Sequence, residues 1–92
     1  MQILTGARMR ILAYLKDEGH ANAAELVAAG IATRGSMYTT LHRMEKEGYI
    51  ESWQHKDRFS PGLPLRFFKL TRKGEVMLRA MKAADRILNS EK

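Results

Sequence analysis

Apolar residues near the start of the chain recur at three- and four-residue steps. Leu4, Ala7, Ile11, Tyr14 and Leu15 form one stripe, which predicts a helix from Thr5 to about Glu18 with Gly19 as its stop. A shorter helix follows. Asn22 can cap it, Glu25 three residues on completes a capping-box pair, and Leu26 and Val27 supply the face that packs on the first helix. Gly30 ends it, and Gly30-Ile31-Ala32 is the whole connection to the next helix, capped by Thr33. Two helices joined by a turn this short, with a glycine in it, are a helix-turn-helix.

The third helix runs to Glu47, with Gly48 as its stop. Met37, Leu41 and Met44 share one side and belong to the core. Ser36, Thr39, His42, Arg43 and Lys46 project opposite them. Arg34 sits in the first turn, and Tyr38 falls at the edge of the apolar face. Tyr49 to about Lys56 reads as a strand anchored by Ile50. The run RFSPGLP is punctuated as a turn, and Leu65 to Leu70 is the return strand. Alternation places Arg66, Phe68 and Leu70 on one face and Leu65, Phe67 and Lys69 on the other, with Phe68 and Leu70 facing the core. Thr71 caps a last helix that extends to about Asn89.

This order predicts a mainly α chain with a small β-hairpin (α+β). It is a winged helix-turn-helix over residues 1–71, continuous with a C-terminal helix over 72–92. In that helix Met77, Met81, Ala84 and Leu88 are spaced four, three, four, the heptad step. A helix of about 18 residues spans roughly 27 Å and outruns a small domain, so these four residues are assigned to dimerisation. The alternative is a stripe packed within one chain.

Ninety-two residues make one domain, and a chain this short buries only a modest core. Cysteine is absent, which excludes disulfides and thiolate metal sites. No apolar run approaches the roughly 18 residues of a membrane span. The first residues lack the features of a signal peptide, so a cytoplasmic protein is expected. The net charge is +6 and uneven. Residues 1–32 carry three basic and three acidic groups, whereas residues 33–92 carry 13 and seven. The basic excess favours a polyanionic partner, double-stranded DNA above all.

The polar face of the third helix has the donors and acceptors that base edges require. Arg43 suits guanine. Ser36, Thr39 and His42 suit bases or phosphates, and Arg34 either role. Lys56, Arg58 and Lys69 flank the wing and suit phosphate contact. Trp53 and Phe67 are candidates for a shelf under a planar ligand, for a dimer contact, or for partly buried core. His20, His42 and His55 are scattered, with neither metal-ligand spacing nor a nucleophile–base pair. No catalytic residue, metal or cofactor is expected.

Two stretches carry a more specific likeness. MYTTLHRMEKEGYI resembles the recognition-helix pattern of PadR-like transcriptional regulators at Met37, Tyr38, Leu41, Met44, Glu45, Gly48, Tyr49 and Ile50. GLPLRFFKLTRKG resembles their wing return at Gly62, Pro64, Arg66, Phe68, Leu70, Thr71 and Gly74, with Phe where the family has Tyr. Leu63 and Leu65 stand where that family often has basic residues. The resemblance implies a homodimeric winged helix that binds a palindromic operator, usually as a repressor, and that dimerises through the helix after the wing. It makes Ser36, Tyr38, Thr39, His42 and Arg43 DNA-facing candidates, and Arg66 is counted with Lys56, Arg58 and Lys69 as a wing candidate. The competing expectation is a winged-helix module that binds protein rather than a DNA sequence.

Overall fold

The computed structural model describes residues 6–55 and 65–90. Seven elements follow in order: α1 (Ala7–Glu18), β1 (Ala21–Asn22), α2 (Ala23–Ala28), α3 (Arg34–Lys46), β2 (Ile50–His55), β3 (Leu65–Leu70) and α4 (Arg72–Ser90). Leu4, Thr5 and the turn with Lys56, Arg58, Pro61, Gly62, Leu63 and Pro64 lie outside the described residues. The strands form one antiparallel sheet in the order β1-β3-β2. No helix among the described residues is long and apolar enough to cross a membrane.

Helix boundaries follow from local chemistry. Asn22 Oδ1 accepts from the Glu25 amide at 2.8 Å, and Glu25 Oε1 accepts from the Asn22 amide at 3.1 Å, so the capping box of α2 is complete. Thr33 caps α3 at the Ser36 amide. At the other end of α3 the Gly48 amide donates to Glu45 O and the Tyr49 amide to Met44 O, both at 3.0 Å. This Schellman closure needs a left-handed residue, and Gly48 supplies it at φ +88°.

The core draws on every layer. Ile11, Leu12 and Leu15 of α1 meet Leu26, Met37, Leu41 and Met44 of the helix-turn-helix. Ile50, Phe68 and Leu78 close it from β2, β3 and α4. Two sequence expectations shift. Leu12 joins the core while Tyr14 is only half-buried, because α1 packs on both α4 and β3 and its buried arc is therefore wide. In α4 the buried apolar side chain is Leu78, with Met77 and Met81 half-buried beside the core. The hairpin also gains a third strand. Ala21 and Asn22 pair with Phe68 and Phe67, and Ala21 is fully buried.

One junction ties α3, the sheet and α4 together. The Thr71 hydroxyl donates to Gly48 O at 2.6 Å and accepts from the Gly74 amide at 3.1 Å, so one side chain caps α4 and closes the end of α3. The Thr71 amide donates to Tyr49 O. Lys73 Nζ donates to Glu47 O at 2.8 Å and lies 4.8 Å from the Tyr49 ring centroid. Gly74 is buried against this turn. A Cβ there would lie 2.0 Å from Tyr49 O, so the first turn of α4 can seat only on a glycine.

Between the long helices, Lys16 Nζ pairs with Glu75 Oε1 at 2.8 Å. That hydrogen bond and charge hold the Glu75 carboxyl below the ordinary carboxylate range. With a depressed folded-state pKa, the pair contributes above the carboxyl's unfolded pKa and fades as pH falls through the folded one. Both side chains are solvent-screened, so the effect is small.

The close approach at Gly74 makes a direct prediction. Gly74→Ala destabilises the domain by at least about 2 kcal/mol, in the range of forced overpacking. Urea unfolding checks this, with Ala80→Gly on the exposed side of α4 as a control of about 1 kcal/mol at most. Equal effects from the two substitutions would contradict the close approach.

Candidate nucleic-acid interface

The buried arc of α3 is centred on Met37, Leu41 and Met44. At about 100° per residue, Thr39, His42, Arg43 and Lys46 fall on the far side, with Ser36 beside them. All five are exposed. Arg34, Arg43 and Lys46 form no ion pair with another described residue. They are exposed, on the same helix as the donors and acceptors of Ser36, Thr39 and His42.

Both flanks of this face are built. On one side the first turn of α1 lies against it, and Gly6, Ala7 and Arg8 line a groove with Thr39, Thr40 and Arg43. Arg8 pairs with Glu47 at 2.5 Å. On the other side Arg34 and Tyr38 line a smaller groove with Ala23, Ala24 and Val27 of α2. Tyr38 is 59% exposed, so it belongs to the outer surface rather than the apolar face. Near the end of α3, Glu45 reaches the wing.

The wing candidates separate. Lys56 and Arg58 lie outside the described residues. Arg66 shares the sheet face that looks toward α3, with Ser52 and Phe68, and donates to Ser52 Oγ at 2.7 Å. Lys69 stands on the opposite face at the base of the ribbon, 3.2 Å from its partner Glu51 and 5.7 Å from the Trp53 ring centroid. It is committed there and is not brought to the face of α3.

The outer sheet face also holds a cluster that sequence reading saw only in part. Trp53 and Phe67 stack with centroids 5.9 Å apart and planes 26° apart. His20 packs edge-on to both, at 5.9 and 5.5 Å, and His55 edge-on to Phe67 at 6.1 Å. The four rings line a shallow pocket of about 260 Å³. Trp53 and Phe67 are cross-strand partners, so alternation alone could have paired them. His20 could not be placed without the third strand, whose two residues carry no periodic signal.

The dimerisation candidates on α4 divide as well. Met77 and Met81 pack against the core, Ala84 is half-buried and Leu88 is exposed. A second apolar line runs beside them. Val76, Ala80, Ala83 and Ile87 are exposed and repeat the four, three, four spacing. Sequence reading missed this line, although its heptad spacing was visible.

The model of a family described as transcriptional regulator PadR-like matches residues 11–80. No curated protein matches the chain. Among solved structures, a PadR-like transcription factor from Bacteroides fragilis is 25% identical with a TM-score of 0.82, over 91% of this chain and 84% of that one. A PadR-like regulator from Bacillus cereus is 24% identical with a TM-score of 0.79, over 99% and 92%. Bacillus subtilis PadR in complex with operator DNA is 18% identical with a TM-score of 0.72, over 79% of this chain and 44% of that one.

Proposed function

Because the chain belongs to the PadR-like family of transcriptional regulators, we propose that it binds operator DNA as a homodimer and represses by occluding a promoter. The exposed face of α3 carries this reading. Its three cations have no described ion-pair partner, and they alternate with small polar side chains on a helix flanked by α1 and the wing. A helix so presented enters the major groove, where Arg43 suits guanine and Thr39 and His42 suit neighbouring base edges or phosphates. Ser36 and Arg34, near the helix start, suit the backbone. Bacillus subtilis PadR, which shares the fold, was solved with operator DNA.

The dimer reading rests on α4. Its last turns run past the core and expose Ile87 and Leu88 at 59% and 52%. With Val76, Ala80, Ala83 and Ala84 they make a broad apolar surface, wider than a single heptad seam, of the kind a second copy covers. Twofold pairing would set two α3 helices about 34 Å apart, one turn of DNA.

The ring cluster supports a small-molecule effector. Two stacked faces with imidazoles at their edges suit a planar aromatic compound, and the pocket opens on the sheet face away from α3.

Two outcomes are expected. Arg43→Ala weakens operator binding by about tenfold or more and leaves the unfolding midpoint unchanged. Fluorescence anisotropy and thermal denaturation read the two quantities, and unchanged affinity would contradict the assigned face. Trp53 is the single tryptophan. Planar aromatic compounds should quench it saturably in the native chain and only collisionally in Phe67→Ala. Equal, linear quenching in both would dismiss the effector site.

A further inference from the structure

Among the described residues, Ser52 joins the wing to α3 by a side-chain hydrogen bond. Its Oγ donates to Glu45 Oε2 on α3 at 2.5 Å and accepts from Arg66 Nη1 on β3 at 2.7 Å. Sheet register makes the meeting possible. Ser52 pairs with Phe68 and Gln54 with Arg66, so Ser52 and Arg66 are diagonal neighbours on the face toward α3. A hydroxyl has one proton. Given to Glu45, it leaves only lone pairs for Arg66, so the chain of donors runs one way from guanidinium to carboxylate. An ionised group at each end strengthens both bonds.

The position of this relay gives it leverage. Ile50 is buried at the base of β2, Ser52 is half-buried, and Gln54 beyond it is exposed. The ribbon therefore leaves the core at Ser52. Ile50 and its neighbour Phe68 hold the base of the ribbon by apolar contact, and the relay adds a polar hold at the level where the ribbon departs. The relay also gathers in Glu45. That carboxylate stands on the flank of α3 beside the cationic face, where a free negative charge would repel phosphate.

We propose that Arg66 is a positioning residue: through Ser52 and Glu45 it fixes the wing against the recognition helix so that both meet DNA as one surface, and it is not itself a phosphate contact. This rests on the DNA-binding reading and assigns the residue a different part in it. Locking the two elements beforehand removes an ordering cost that binding would otherwise carry.

The two roles predict opposite salt behaviour. A lost phosphate contact lowers the slope of log affinity against log salt by about 0.9, whereas lost positioning leaves the slope in place. The experiment measures binding of the full chain to its operator duplex across roughly 50–300 mM salt. The variants are Arg66→Gln, Ser52→Ala, the double variant, and Ser52→Thr, which keeps the hydroxyl. Each disrupting single variant should weaken binding about tenfold, in line with a charge-assisted hydrogen bond. The double variant should be no weaker than either single one, the slope should not change, and Ser52→Thr should restore affinity. A shallower slope for Arg66→Gln with Ser52→Ala silent would make Arg66 a phosphate contact and overturn the proposal. Additive losses would overturn it equally, as would a Ser52→Thr variant that folds and stays weak. Failure of the native chain to bind any duplex would instead defeat the DNA-binding reading and the proposal with it.

Discussion

The carbonyl oxygen of Tyr49 lies 2.0 Å from where a Cβ on residue 74 would stand, and that contact orders much of the molecule. It lets the first turn of α4 press on the residue that has just left α3. Thr71 uses one hydroxyl for both sides of the seam, donating to Gly48 O and accepting from Gly74. Arg8 and Lys73 both stand over the Tyr49 ring, so the start of α1 joins the same point. The end of the recognition helix, the root of the wing and the start of the C-terminal helix are thereby held within a few residues. Their mutual angles follow from packing rather than from long loops.

That rigidity gives the charge distribution its meaning. The basic excess lies beyond residue 32, but fold geometry divides it. Lys69 is taken by Glu51 and Lys73 by the Glu47 carbonyl. Arg66 is tied to Ser52 and so to Glu45. Arg34, Arg43 and Lys46 remain on the open face of α3. A count of positive residues thus overstates what the sheet and the junction leave available to a polyanion, whereas the cations of α3 have no ion-pair partner among the described residues. The same division separates three surfaces, with the exposed polar face on α3, the aromatic cluster on the outer sheet face and the apolar line on α4.

Helices and the main hairpin were legible because each has strong local signals. The Asn22–Glu25 box, the Thr33 cap, the Gly48 stop and the Thr71 cap all form, and β3 occupies Leu65–Leu70 as its alternation indicates. The exposed side of α3 was legible for the same reason, since Met37, Leu41 and Met44 fix its phase. What could not be read depends on long-range pairing. The strand at Ala21–Asn22 exists only because β3 offers an open edge, and it carries His20 to Trp53 and Phe67. The tie from Arg66 to Glu45 needs the register of two strands and their seat on α3. Leu12 and Leu78 were missed because a stripe gives the direction of a buried arc more reliably than its width. Gly74 was visible as part of a motif, but only the approach of Tyr49 explains why no side chain fits.

The central claim is that two copies of this chain present paired recognition helices to DNA. Selection of bound duplexes from a random pool at near-physiological salt tests it most directly. Enrichment of an inverted repeat with half-sites about 10–10.5 base pairs apart, centre to centre, is the expected result. A folded chain that enriches no sequence, or only an unrepeated site, would contradict it.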